Sequence, residues 1–270
     1  MYLKIAFWSN TPGQAGTTSN LVGVALMASM SYHYKTMILQ SQYGLYNLDS
    51  ALMDRGRDDL IREEFSYYYE NGIDYLLRKS IISGITTDDV KQGCVEIVRD
   101  RAYYIPATIK NSREIYQENI KKHLQSILEA ADEFADLTFI DAGCGVNEIS
   151  ARIFEAADMI VVNFNQNCRA MNQFFQSYQK FSEKLVFLIG SYDYNSTYNA
   201  KNVQRMYRID RKNLGVIPYN VGFQDAFGEG KVVRFLKSNF NCREHDKNYY
   251  FIKELKASSN MILKRAGLVD

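Results

Sequence analysis

Short runs that are apolar at nearly every position alternate along this chain with longer segments in which apolar residues recur every three or four positions. The short runs predict strands at Tyr2–Trp8, Lys35–Ser41, Ala102–Ile105, Leu137–Asp141, Met159–Phe164, Leu185–Ile189 and Leu214–Ile217. Several are apolar throughout, as a strand covered on both faces must be. The longer segments predict helices near 18–31, 58–70, 111–134, 147–156, 167–182, 198–211 and 246–265. Such alternation is the signature of an α/β fold, a doubly wound, mostly parallel sheet with helices on both faces. With 270 residues and 46% hydrophobic content, the chain can bury the core of one such domain. The expectation is therefore a single unit over 1–270, with the last helix, about 246–266, packed on it.

The three prolines sharpen this picture. Pro12, Pro106 and Pro218 each follow a predicted strand. Proline ends a ladder and fixes a turn, so all three mark strand ends at one edge of the sheet, the carboxyl edge where open α/β sheets bind ligands. Charge adds little, because a net +1 sets up no global field toward nucleic acid or an anionic membrane. The four cysteines (94, 144, 168 and 242) form no C-x-x-C pair, no apolar leader opens the chain, and no run reaches the length of a membrane span. The expectation is a reduced, cytoplasmic protein. Histidines at 33, 123 and 245 have no ligand-like spacing, and Tyr67-Tyr68-Tyr69 reads as half-buried packing.

Candidate chemistry begins at residues 10–20, NTPGQAGTTSN, between the first strand and the first helix. A glycine-containing loop running into a helix that begins with small hydroxyl residues has the layout of a phosphate cradle, in which backbone N–H groups and the helix N-terminus face an anion. The full pattern, G-x-x-x-x-G-K-[ST], is incomplete here because Thr17 follows Gly16 where lysine belongs. From the residues alone, a phosphate cradle and a plain strand-to-helix turn remain equally open.

Five segments in register carry a resemblance. Pro12-Gly13-Gln14-Ala15-Gly16-Thr17-Thr18-Ser19 resembles the deviant K-G-G-x-G-K-T-T loop of the MinD/ParA-type positioning and partition ATPases, with both lysines replaced. Ile38 to Asp49 is similar to that family's I-D-x-D-x-G-x-x-N-L-D stretch: Gly44, Asn47, Leu48 and Asp49 match, while Gln40 and Gln42 stand where the family has aspartates. Leu137 to Gly145 resembles its second carboxylate motif, keeping Asp141 and Gly145. Gly190-Ser191-Tyr192-Asp193 and Leu214 to Asn220 are similar to its late strands near the base pocket, followed by a helix bearing Asp225-Ala226. The resemblance implies a P-loop NTPase-like fold of the MinD/ParA type. It further implies ATP or ADP with Mg2+ held by Gly13, Gln14, Ala15, Gly16, Thr17, Thr18 and Ser19, with Thr18 and Asp141 on the metal.

The same substitutions define what is lost. Phosphoryl transfer depends on positioning and charge neutralisation, so lysines on the phosphates and carboxylates around metal and water are its working parts. Loss of a charge-assisted contact weakens binding by roughly 1.5–3 kcal/mol. Removal of a preorganised transition-state donor slows reaction on the order of 10²–10³. Thr17 cannot neutralise a phosphate, and neither Gln40 nor Gln42 can act as a base or hold magnesium as a carboxylate does. The expectation is a non-hydrolysing protein with no catalytic residue, acting by binding nucleotide, itself and a partner. A slow but active partition or positioning ATPase is the alternative.

The segment from Gly72 to Leu77 through Tyr103 to Ala107 resembles the helical insert and following strand of the TadZ/CpaE-like pilus-assembly localisation branch. That branch implies pilus or secretion assembly proteins as partners, a homodimer, and recruitment to the inner face of the membrane or a cell pole. Three other readings are weighed. Asp141-Ala142-Gly143-Cys144-Gly145 also matches the first motif of S-adenosylmethionine-dependent methyltransferases, though Asn147 replaces its third glycine. Lys201, Arg205, Arg208 and Lys212 recur at helical spacing beside Arg211; a solvated helix face outweighs a nucleic-acid stripe at this net charge. Phe251, Ile252, Leu255, Met261 and Ile262 could line a membrane-surface helix, but docking on the domain is the commoner use of such a face.

Overall fold

The structure is a computed structural model that describes residues 2–43, 48–53, 71–108, 112–178 and 183–269. Eight strands form one sheet: β1 (Leu3–Ser9), β2 (Thr36–Gln40), β3 (Val95–Val98), β4 (Ala102–Tyr104), β5 (Leu137–Cys144), β6 (Met159–Phe164), β7 (Leu185–Tyr192) and β8 (Leu214–Pro218). Their spatial order is β3-β4-β2-β5-β1-β6-β7-β8. All neighbours run parallel except β3, which pairs antiparallel with β4 at one edge. The expected doubly wound sheet is thus present, and all seven predicted strands are found within a few residues of their expected ends. β3 escaped prediction because its edge position leaves Val95 and Ile97 half-buried and Glu96 exposed, so no continuous apolar run marks it.

Helices cover both faces. On one side lie α1 (Thr17–Ser31), α2 (Asp49–Leu52), α9 (Val221–Gly228), α10 (Val232–Asn239) and α11 (Tyr249–Arg265). On the other lie α3 (Gly72–Ile82), α4 (Thr87–Gly93), α5 (Arg113–Phe134), α6 (Glu148–Ala156), α7 (Cys168–Ser177) and α8 (Ala200–Tyr207). α1 is buried from Asn20 to Ser29, sandwiched between the sheet and α11, which explains its nearly uniform apolar composition. Gly23 permits that sandwich, since a β-carbon there would meet Leu255 at 3.1 Å.

The predicted C-terminal helix is docked. Phe251, Ile252, Leu255, Ile262 and Leu263 are buried against the domain, and Ser258 exchanges hydrogen bonds with the backbone of Val216 on the outermost strand, β8. The helix thereby covers an open sheet edge, and the apolar face considered for a membrane surface is already occupied. No described helix is long and apolar enough to cross a membrane.

Several boundaries moved. The helix expected over 198–211 ends at Tyr207, where Arg208 takes a left-handed conformation (φ 54°), and a 3-10 turn follows at Arg211–Asn213. Lys201 and Arg205 therefore share a helix, but Arg208, Arg211 and Lys212 do not continue its face, and Lys212 pairs with Asp210 at 3.3 Å. The helix over 167–182 is described only as Cys168–Ser177. The helix over 58–70, Tyr67 to Tyr69, and the matched Gly44 and Asn47 lie outside the described residues. His33, His123 and His245 join no metal-binding group, as no cluster of three or more ligand-type side chains occurs among the described residues.

At Gly190 on β7 an added β-carbon would lie 2.6 Å from the Ala15 carbonyl oxygen and 2.6 Å from Asn20 Nδ2. Gly190→Ala must displace the loop before α1, and is expected to lower stability by about 1–3 kcal/mol, as overpacking does. Urea unfolding would check this; an unchanged midpoint would show that the loop does not rest on β7.

Candidate phosphate-binding site at the carboxyl edge

β1 ends at Ser9, and the chain turns through residues 10–16 into α1. Gly13 (φ 68°) and Gly16 (φ 64°) both hold left-handed conformations that let the backbone fold back on itself. The first bond of the helix runs from the Asn20 amide to the Gly16 carbonyl. α1 carries no side-chain cap, whereas Asn147, Asn167, Asn199 and Asn220 cap α6 to α9. With no side chain capping the first turn of α1, the amides of Thr17 to Ser19 are left for an external acceptor such as an anion.

A buried amide network fixes the back of this turn. Asn20 Nδ2 donates to the Ala15 carbonyl at 3.2 Å and to Asn163 Oδ1 at 2.9 Å, and Asn163 Nδ2 donates to the Trp8 and Val161 carbonyls. Asn163 is wholly buried and Asn20 nearly so. Neither residue was singled out in the sequence, where an asparagine inside an apolar run gives no hint of its partner 143 positions away.

Asp141, on β5 in the centre of the sheet, faces the start of α1. Thr18 Oγ1 donates to its Oδ2 at 2.6 Å, while Oδ1 accepts from the Gly143 amide at 3.0 Å and Gln42 Nε2 at 3.4 Å. Burial pushes the Asp141 carboxyl above the usual carboxylate range, and the bonds from Thr18, Gly143 and Gln42 oppose that shift. Gly143 (φ 74°) leaves space for Gln42, whose amide lies where a β-carbon would sit. The D-x-G-x-G run thus serves Asp141 and Gln42, and Asn147 is occupied as the cap of α6; a methyltransferase motif opening its domain is not what this strand, fourth in the sheet from the β3 edge and fifth along the chain, provides.

Gln40 has a structural task. It is buried; its Nε2 donates to the Gln42 carbonyl at 2.9 Å and its Oε1 accepts from the Leu48 amide at 2.9 Å. Only a side chain that both donates and accepts can make this pair of bonds, so a carboxylate at position 40 would forfeit one.

All the predicted binding residues, Gly13, Gln14, Ala15, Gly16, Thr17, Thr18 and Ser19, line one cavity of about 560 Å³ together with Asp141, Gln40 and Gln42. Tyr43, Cys144, Gln224 and Phe227 complete the walls and were missed. Gln224 and Phe227 come from α9, which the sequence places 200 residues from the loop it faces. Gly190 backs the loop, whereas Ser191, Asp193, Asn220 and Asp225 lie outside the cavity lining. Among the lining residues Asp141 is the only charged side chain. The residues present fit a phosphate through backbone amides, and Thr18 Oγ1 with Asp141 supplies the hard oxygen donors that suit magnesium. Among the described residues lining the cavity, none is a lysine or arginine that could neutralise a phosphate chain.

No family model and no curated protein sequence matches the chain. Its fold matches solved structures. A ParA family ATPase from Chlorobium tepidum superposes with a TM-score of 0.74 at 13% identity, covering 96% of this chain and 99% of the other. The septum site-determining protein MinD from Pyrococcus horikoshii, complexed with Mg-ADP, gives 0.71 at 13% identity over 99% and 98%. A chain of the MinC:MinD cell division protein complex of Aquifex aeolicus gives 0.66 at 13% identity over 97% and 96%. The protein therefore has the α/β fold of the ParA/MinD P-loop ATPases.

The raised Asp141 carboxyl carries a pH signature. With the folded value above the unfolded one, the native state holds more protons between the two, so Asp141 costs stability as pH rises through that window and above it. Asp141→Asn keeps an acceptor for Gly143 and Gln42 and can donate to Thr18. It is expected to raise the melting temperature at neutral pH, with the gain shrinking as pH falls toward about 4, the ordinary carboxylate range. Thermal unfolding at both pH values would check this, and a loss of stability at neutral pH would contradict it.

Proposed function

We propose that this protein is a nucleotide-binding scaffold of the MinD/ParA type that does not hydrolyse its ligand and positions a pilus or secretion assembly through protein partners. The observation that carries the reading is the cavity at the carboxyl edge, whose phosphate face is built from open backbone amides and whose only charged side chain is the buried Asp141. The MinD relative complexed with Mg-ADP supports the ligand class, and the MinC:MinD complex supports action through a protein partner.

In this reading the amides of Gly13 to Thr18 bind phosphate oxygens, and the N-terminus of α1 adds its dipole. Thr18 Oγ1 and Asp141 would hold magnesium, which supplies the positive charge that no described lining residue provides. Asn20, Asn163 and Gly190 keep the loop in place. None of the described lining residues neutralises charge that develops during transfer, and neither glutamine serves as a base, since Gln40 ties its amide to backbone and Gln42 lies against Asp141. Binding without turnover follows. The branch assignment to TadZ/CpaE-like proteins, the homodimer, and recruitment to the membrane face or a cell pole belong to the same proposal. They rest on the motif resemblance in residues 72–107, whose described part forms α3, α4, β3 and β4.

One observation favours slow hydrolysis instead, namely the intact Thr18–Asp141 pair at 2.6 Å. Phosphate release at saturating Mg-ATP separates the readings: no release above buffer is expected, and turnover abolished by Thr18→Ala would overturn the scaffold reading. Restoring the missing cation with Thr17→Lys is expected to tighten nucleotide binding by about ten- to a hundredfold, the worth of one charge-assisted contact. Titration calorimetry would measure it. No gain would show that the loop is not a phosphate cradle.

A further inference from the structure

Away from the cavity, the ends of β7 and β8 and the start of α11 form a second corner of the molecule. Tyr192, which closes β7, pairs in register with Pro218 of β8. The turn after β8 is pinned to the start of α11 by a hydrogen bond from Asn220 Nδ2 to Asn248 Oδ1 at 3.0 Å. Asn248 is buried and in turn donates to Asn239 Oδ1 at 2.8 Å. This fixed frame leaves four large side chains in the open: Tyr194, Tyr219, Val221 and Tyr250.

The rings of Tyr194 (66% exposed) and Tyr250 (41%) stand nearly at right angles, 83° apart in plane with centroids separated by 6.4 Å. They make two walls of an open aromatic corner. Carboxylates accompany it. Burial pushes the Tyr250 hydroxyl up, and Glu254, Tyr192, Tyr194 and Asp193 push it the same way, so both acids act on the same ring. Neither Asp193 nor Glu254 has an ion-pair partner among the described residues. Lys253, on the same helix, lies over Tyr249 instead, 5.9 Å from its ring centre. Aromatic faces carry negative potential, and with carboxylates alongside they attract a cation.

We propose that this corner docks an arginine side chain carried by a partner protein, its guanidinium lying against Tyr194 and Tyr250 and its N–H groups facing Asp193 and Glu254. Arginine suits the corner better than lysine, because its planar group stacks on a ring and its fork of donors matches a carboxylate. The corner is too open to retain a free small cation, since both rings face water. A partner chain delivers the arginine and covers Tyr219 and Val221, which supply apolar area around an aromatic and arginine anchor. The proposal rests on the reading above in one respect, action through a protein partner. It needs neither nucleotide nor a particular assembly.

NMR of the tyrosine rings on the nucleotide-free protein tests this, with a glycine-serine peptide carrying two arginines as the probe. Saturable shifts of the Tyr194 and Tyr250 resonances are expected, assigned by their loss in Tyr194→Leu and Tyr250→Leu. Leucine keeps apolar bulk and removes the ring, so each variant is expected to weaken the peptide by about two- to fivefold, the scale of an exposed cation–π contact. Glu254→Gln, which leaves both rings in place, and added salt are each expected to weaken it as well. The same peptide with citrulline for arginine keeps the shape without the charge and is expected not to bind. Equal binding of the citrulline peptide, full binding by both leucine variants, or no shift at either ring would overturn the proposal. So would retention on phosphatidylcholine vesicles through these tyrosines with no response to the peptide. Because no nucleotide is added, ATP turnover or a failure to bind nucleotide leaves this result untouched.

Discussion

The hydrogen bond from Thr18 to Asp141 is the contact on which the carboxyl edge depends. It ties the first turn of α1 to the central strand β5, buries a carboxylate in the middle of the molecule, and places the mouth of the 10–16 loop over it. A buried carboxylate is tolerated only when its oxygens are engaged, and here a hydroxyl, a backbone amide and a glutamine amide engage them. Around that point the chain spends amide side chains freely. Asn20, Asn163, Gln40 and Gln42 each satisfy backbone or side-chain groups that would otherwise be orphaned at the strand ends.

This substitution of amides for charges gives the site its character. An active phosphoryl-transfer centre concentrates lysine, metal-holding carboxylates and a positioned water in a dry pocket. Here the same architecture is stitched together by neutral hydrogen bonds. Gln40 illustrates the trade: its two bonds, to the Gln42 carbonyl and the Leu48 amide, need both a donor and an acceptor, and an aspartate in its place could accept only. The loop leads into an uncapped helix N-terminus of the kind that suits a phosphate, and among the described residues lining the cavity no cationic side chain accompanies it. Geometry and charge are separable because backbone amides depend on φ and ψ, whereas cations depend on which side chain stands at 12 or 17.

Much of this was legible in the residues. Strands buried on both faces advertise themselves as continuous apolar runs, so β1, β2 and β5 to β8 could be placed within a few residues. The glycine-loop-helix order located the loop that lines the cavity, and the strand-ending aspartate located the carboxylate within it. The exposed edge strand β3 was not legible, because half-covered residues obey no apolar pattern. The helix expected over 198–211 was overextended because periodicity cannot see that Arg208 turns left-handed. Its apparent basic stripe was therefore a feature of sequence spacing alone.

By itself, the sequence determined the kind of elements, the existence of the loop and the absence of cations within it, since these follow from local patterning and residue identity. Only the tertiary structure decided which distant groups meet: Asn20 with Asn163, Gln42 with Asp141, Phe227 with the phosphate loop, and α11 with the edge of β8. Such pairings join residues some 40 to 215 positions apart. They arise from the order in which parallel strands assemble, and no local pattern in the chain encodes that order.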